Sequence, residues 1–128
     1  MRRGAPMNGD LCQFAAEQHG DVLVLAPTRN LGDLDLVGQD DPCRKMLDRV
    51  RTSTAKHLLV DLGQIEYFGS TALGVFIQAW KTISGRGGKM VICNASENER
   101  AIFANTKLDT IWPFVDTREE GLALLASE

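Results

Sequence analysis

At 128 residues and 44% hydrophobic content, the chain can bury one contiguous core and is too apolar to remain disordered. Its net charge of −3 and pI of about 5.4 leave no overall cationic excess of the kind that nucleic-acid binding asks for. No apolar run approaches the length of a membrane helix, which argues against direct membrane insertion. The first residues also lack a secretory apolar region. Cys12, Cys43 and Cys93, odd in number and widely spaced, therefore read as reduced thiols of a cytoplasmic protein.

Residues 1–10 carry Arg, Gly and Pro without periodicity and read as a flexible tail, leaving one domain over residues 11–126. Phe14 to Gln18 and Val22 to Ala26 have strand character, and His19-Gly20-Asp21 between them favours a hairpin with the first strand at an edge. Pro27 ends the second strand because it lacks the donor that a ladder needs. His19 has no metal-ligand company and reads as a solvated turn residue. Residues 28–41 are polar; Asp33, Asp35, Asp40 and Asp41 do not follow the spacing of a calcium loop, so they read as loop and helix caps rather than a metal site. Asp41-Pro42 opens a helix with Cys43, Met46, Leu47 and Val50 on one side. Arg44, Lys45, Asp48 and Arg49 form its solvated side.

Leu58 to Leu62 is an apolar run suited to a strand buried on both faces. His57 is a boundary residue rather than a catalytic base. Asp61 inside the run is a buried carboxylate that needs a partner, and its expected role is structural. From Thr71 the apolar period changes to three and four, through Leu73, Phe76, Ile77, Trp80 and Ile83, widened by Ala72, Val75 and Ala79. Gln78, Lys81 and Thr82 mark the wet side. In the turn between strand and helix, Gly69 permits a sharp bend and Ser70 or Thr71 can cap the helix. A hydroxyl there lies near unpaired amides and tolerates an added phosphate.

Gly85 to Gly88 follow a helix and precede the strand Lys89 to Cys93, so they end the helix and do not cradle a phosphate. Ser96 and Glu99 have the form of a capping box for a helix reaching Asn105. Lys107-Leu108-Asp109 reads as a loop and Ile111 to Val115 as a strand, which Pro113 marks as an edge. Trp112 and Phe114 read as core or rim residues. Asp116-Thr117 caps a last helix with Leu122, Leu125 and Ala126 inward. The order β-β-α-β-α-β-α-β-α gives an α/β fold: a mixed, mostly parallel sheet with an N-terminal hairpin and about four helices.

The run HLLVDLGQIEYFGSTALGVFIQAWKTISGRGGKMVIC, from His57 to Cys93, resembles the centre of a STAS domain, the family of anti-sigma factor antagonists. There the strand leads into an Asp-Ser-Ser/Thr-Gly-Leu-Gly turn that opens the second helix. Gly69 stands at the Asp position, Ser70 and Thr71 at the two hydroxyls, Ala72 at the first Gly, and Leu73-Gly74 match. Ile102-Phe103-Ala104 and Leu108-Asp109 are similar as well. The resemblance implies a single-domain STAS-like fold and no cofactor. It makes Ser70 the phosphoacceptor, with Thr71 as runner-up. It implies partner-binding residues Gly69, Ser70, Thr71, Leu73 and Gly74, and a partner of the anti-sigma factor and serine kinase class. No Cys/His pair, zinc pattern or nucleophile elbow accompanies these residues, so no catalytic residue is assigned. A second reading stays open: a STAS scaffold or sensor that is never phosphorylated, or an accessory subunit of a membrane transporter. The oligomeric state is not specified by these features.

Overall fold

The computed structural model describes residues 14–28, 42–66 and 68–126. The expected tail (residues 1–10), the acidic segment around Asp33 to Asp41, and Cys12 lie outside the described residues, as do the side chains of Cys43, Ser70 and Thr71. The hairpin pairs β1 (Phe14–His19) with β2 (Val22–Pro27) antiparallel, His19 opposite Val22. Gly20 has φ 62°, the left-handed conformation that a two-residue turn needs and that glycine adopts without cost. Helix α1 (Pro42–Thr52) crosses back to β3 (His57–Asp61), α2 (Ser70–Gly85) to β4 (Met90–Cys93), and α3 (Glu97–Asn105) to β5 (Phe114–Val115). Helix α4 (Arg118–Ala126) closes the described chain. The sheet order is β1-β2-β3-β4-β5, with the three later pairs parallel, so β1 and β5 are the edges and β3 the centre.

Period-two alternation splits the core between the two faces of the sheet. Leu23, Leu25, Leu58, Val60, Met90 and Ile92 pack with Met46, Leu47 and Val50 of α1, with α2, and with Phe103 of α3. Val22, Val24, Leu59, Val91 and Cys93 lie on the other face with Leu125 of α4. Helix α4 sits close: a Cβ on Gly121 would come within 2.5 Å of a Leu59 methyl. Leu125 is buried and Leu122 half-buried as expected, whereas Ala126 is exposed, one residue past the helix face that meets the sheet.

Helix α2 is rotated from the stripe read in the sequence. Its fully buried line is Ala72, Phe76, Ala79 and Ile83, while Leu73, Ile77 and Trp80 are half-buried flanks. Small Ala72 and Ala79 bring the helix close to the sheet, and the larger side chains reach around its sides. The expected strand over Ile111 to Val115 shrinks to Phe114–Val115. A short 3-10 turn (Leu108–Thr110) precedes it, and the N–H groups of Ile111 and Trp112 both bond to the Leu108 carbonyl instead of a ladder. Burial drives this: Trp112, 1% exposed, packs edge-on to Phe103 and Trp80.

Two capping boxes fix helix starts. Ser96 Oγ accepts the Glu99 N–H while the Glu99 carboxylate accepts the Ser96 N–H; Thr117 and Glu120 do the same for α4. At the far end of α2, Gly87 has φ 81° and Gly88 N–H returns to the Ile83 carbonyl, which ends the helix as expected. Gly88 could not be alanine: a Cβ would lie 1.6 Å from the Lys56 carbonyl oxygen.

Phe76 is 2% exposed and packs edge-on against Phe68, while Lys81 faces solvent. Phe76→Ala should therefore cost roughly 3–5 kcal/mol of stability, and Lys81→Ala well under about 1 kcal/mol. Urea unfolding of both variants checks this, and comparable losses would contradict the described rotation of α2.

Candidate functional site

The segment between β3 and α2 is fastened at three points before it releases the chain into the helix. Leu62 N–H bonds to the Cys93 carbonyl and Ile65 N–H to the Leu62 carbonyl, and Gly63 N–H bonds to Asp61 Oδ1 at 2.9 Å. Leu62, Ile65 and Phe68 are buried. Phe68 is the decisive anchor, with ring centroids 5.4 Å from Phe76 and 5.2 Å from Phe103. Ser96, held by its capping box, hydrogen-bonds the Glu66 carbonyl at 3.4 Å from the neighbouring helix start. Burial at Phe68 and hydrogen bonding at residues 61–66 thus fix where α2 begins.

That helix starts one residue earlier than its apolar period suggested. Gly69 is the N-cap, its carbonyl accepting the Leu73 N–H, and Ser70 is the first helical residue. The expectation that Ser70 or Thr71 supplies the cap is corrected accordingly: both lie inside the first turn. Glycine has no side chain to offer, so the N-cap residue itself gives the opening amides of α2 no side-chain cap. Gly69 has φ −92° and ψ −176°, extended backbone that any residue adopts. Glycine is therefore not required there by conformation, and an Asp would suit the position well.

Of the residues singled out in the sequence, Gly69, Ser70, Thr71, Leu73 and Gly74 occupy the cap and first turns of α2. Leu73 and Gly74 are half-buried. A Cβ on Gly74 would meet nothing within 4 Å among the described residues, so no contact with them demands glycine at this helix-interior position.

Asp61 sits at the base of the segment and is 8% exposed. Arg118 Nε donates to its Oδ2 at 2.9 Å, and Asn94 Nδ2 donates to Oδ1 at 3.0 Å. Asn94 takes a left-handed φ of 58° to reach it. Arg118 also approaches Glu17 on β1 at 3.5 Å, and Glu17 in turn contacts His19 at 2.6 Å. Burial pushes the Asp61 carboxyl up, but the bonds from Asn94, the Gly63 N–H and Arg118 outweigh it and hold the group below its ordinary range. Burial, followed by the Asp61 charge, pushes the neighbouring Cys93 thiol up to about 12, so it stays protonated and unreactive at neutral pH. Glu99 is fully buried, and burial raises its carboxyl above the ordinary value despite the Ser96 bonds. His57 is buried, with Nδ1 accepting the Lys89 N–H, a structural post at the opposite end of β3. Asn94, Phe68 and Arg118 are the supports that sequence reading did not pick out. Only Asp61 gave a signal for one of them, since a buried carboxylate demands a cation without saying which.

Among the described residues no group of three or more His, Cys, Asp and Glu side chains could hold a metal ion, and no helix is long and apolar enough to cross a membrane. A profile of the STAS domain matches residues 13–121. The chain belongs to the STAS domain family. An anti-sigma F factor antagonist of Paenibacillus polymyxa is 26% identical over 113 residues, 88% of this chain and 94% of that protein. An anti-sigma-factor antagonist (STAS) domain protein of Planctomyces limnophilus shares the fold with a TM-score of 0.77, at 22% identity over 88% of this chain and 97% of that one. The Bacillus cell fate determinant SpoIIAA in its phosphorylated form matches with 0.68, at 14% identity over 86% and 96%. The murine anion transporter Slc26a9 matches with 0.67 at 8% identity, over 88% of this STAS chain but 19% of that protein.

The Asp61 tie carries a pH signature. A carboxyl held below its unfolded value contributes stability that is present at neutral pH and is lost as pH falls through the depressed value. Asp61→Asn should therefore flatten the acid limb of the stability curve below about pH 4. Arg118→Ala, which leaves the buried carboxylate short of a donor, should cost roughly 1–3 kcal/mol at neutral pH. Urea midpoints measured from neutral to acidic pH check both, and an unchanged acid limb in Asp61→Asn would remove Asp61 from the account.

Proposed function

We propose that this STAS protein is an anti-sigma factor antagonist-like regulator in the cytoplasm. It acts by binding an anti-sigma kinase through the start of α2, and phosphorylation of Ser70 releases that partner. It works by association and not by catalysis. Gly74 is the observation that carries the reading. An interior glycine costs a helix about 0.5–1 kcal/mol relative to alanine. Among the described residues nothing occupies the space its missing Cβ leaves, so packing by them does not repay the cost. A smooth spot one turn from Ser70, beside half-buried Leu73 and Ile77, suits close approach by another protein. Ser70 as the first residue of α2 supports the switch. The amides of an opening turn suit phosphate oxygens, and the added charge of about −1.5 to −2 acts on whatever docks there. The relatives named as anti-sigma factor antagonists support the same partner class.

The likeness to part of Slc26a9 favours a second reading, in which the domain is an accessory module of a transporter or a scaffold that is never phosphorylated. Incubation with the anti-sigma kinase of its own cell and ATP, followed by mass-spectrometric mapping, separates the two. Phosphate is expected on Ser70, and phosphate on Thr71 alone would move the acceptor by one residue. Ser70→Asp should weaken kinase binding with little loss of stability, and Ser70→Ala should bind constitutively. Gly69→Asp fits the observed backbone, should cap α2 at least as well as glycine, and should speed phosphorylation. No phosphate at either residue, with binding unchanged in Ser70→Asp, would favour the transporter or scaffold reading.

Gly74→Ala separates stability from docking. It should raise stability by about 0.5–1 kcal/mol and weaken kinase binding. A stabilised variant that binds as well as the parent would take Gly74 out of the interface.

A further inference from the structure

The outer surface of the α1–α2 layer carries a charge that the rest of the chain does not share. Helices α1 and α2 together hold five Lys and Arg, namely Arg44, Lys45, Arg49, Arg51 and Lys81, against the single carboxylate of Asp48, a local charge of +4 in a chain whose net charge is −3. The buried side of α1 is fully used by Met46, Leu47 and Val50. Arg44 and Arg51 are exposed on its outer side, Arg49 is half-buried beside them, and Asp48 is the one carboxylate in that row. Arg86 binds this end of α1 to the end of α2, donating to the carbonyls of Val50, Arg51 and Ala55 at 2.8–3.1 Å. Arg51 reaches Gln78 of α2 at 3.4 Å, and Lys81 lies exposed one turn further along that helix. Helix α2 contributes no carboxylate in its 16 residues.

Local electrostatics account for only part of this. Arg49 and Arg51 in the last turn of α1 suit its negative end, and Arg86 satisfies carbonyls there. Arg44 lies in the first turn of α1, where a cation opposes the dipole and the turn itself holds no acidic residue. Lys81 lies well inside α2. None of Arg44, Arg49, Arg51 and Lys81 pairs with a carboxylate among the described residues.

We infer that the α1–α2 surface around Arg44, Arg51 and Lys81 is a docking face for an acidic segment of a partner protein. The chain outside these two helices carries a net −7. An extended polyanion such as a DNA duplex or an anionic bilayer meets that repulsion beyond about 10 Å, one Debye length, whereas a compact acidic segment stays within the basic face. Lys81 lies about 16 Å along α2 from Ser70, whereas Arg44, seven residues before Arg51, lies nearer the Ser70 end of the layer.

The test uses a fluorescent peptide of consecutive glutamates, with binding followed by anisotropy. Saturable binding is expected at about 50 mM salt, weakened at least about tenfold at about 500 mM. Arg51→Glu, Lys81→Glu and Arg44→Glu should each weaken it roughly 3- to 10-fold with unchanged circular dichroism. Lys107→Glu, the same charge change after α3, should leave it within about twofold. Absence of saturable binding, an equal loss in Lys107→Glu, or tighter binding of a DNA duplex or phosphatidylserine vesicles than of the peptide would each overturn the inference.

Discussion

Every residue of β3 is buried, and the rest of the structure follows from that constraint. A strand covered on both faces needs helices on both, which the alternation of Leu58 and Val60 against Leu59 divides between α1–α2–α3 on one side and α4 on the other. Parallel neighbours on both edges of β3 require crossover helices, and those crossovers deliver the start of α2 just beyond the carboxyl end of the central strand. The candidate site therefore sits just beyond a strand buried along its whole length. Phe68 extends the buried core to the threshold of α2 by joining the aromatic cluster of Phe76 and Phe103.

The end of β3 is also where the fold accepts a buried charge. Asp61 costs desolvation, and three donors from three separate segments offset it. Since Arg118 is the first residue of α4, the ion pair fixes the helix on one face of the sheet relative to the loop that leads into the helix on the other. Removing one partner of such a group is costlier than never having built it. Hydrogen bonding and packing thus hold the same loop from opposite sides.

Helix α2 departs from the best local choice at its cap and one turn into its interior. Gly69 offers no capping side chain although its backbone would accept one, and Gly74 weakens the interior although none of the described residues crowds it. Both concessions fall within about one turn of Ser70, Gly69 buried and Gly74 half-buried, while the inward line Ala72–Phe76–Ala79–Ile83 is fully packed. Sequences give up local stability where another surface must fit, and the concessions here share one end of one helix. Arg44, a cation in the first turn of α1, is a comparable departure from the best local electrostatic choice.

Much of the architecture was legible in the residues because it rests on local chemistry. Alternation and apolar runs specified β2, β3 and β4, Gly20-Asp21 the hairpin, Ser96 with Glu99 the start of α3, and Gly85 to Gly88 the end of α2. The motif after β3 marked the candidate site because its glycines and hydroxyls stand together in the chain. The rotation of α2 was not legible, because large and small apolar residues share its period and only the distance to the sheet decides that Ala72 and Ala79 face inward. Nor was the shortening of β5, where burial of Trp112 draws the preceding backbone into a 3-10 turn. The partner of Asp61 lay 57 residues away on α4, and nothing in the sequence distinguishes Arg118 from other cations. Periodicity, caps and turns act between near neighbours and so can be read from order alone; helix rotation, aromatic packing and the choice of a counter-ion depend on distances that exist only once the sheet has brought remote segments together.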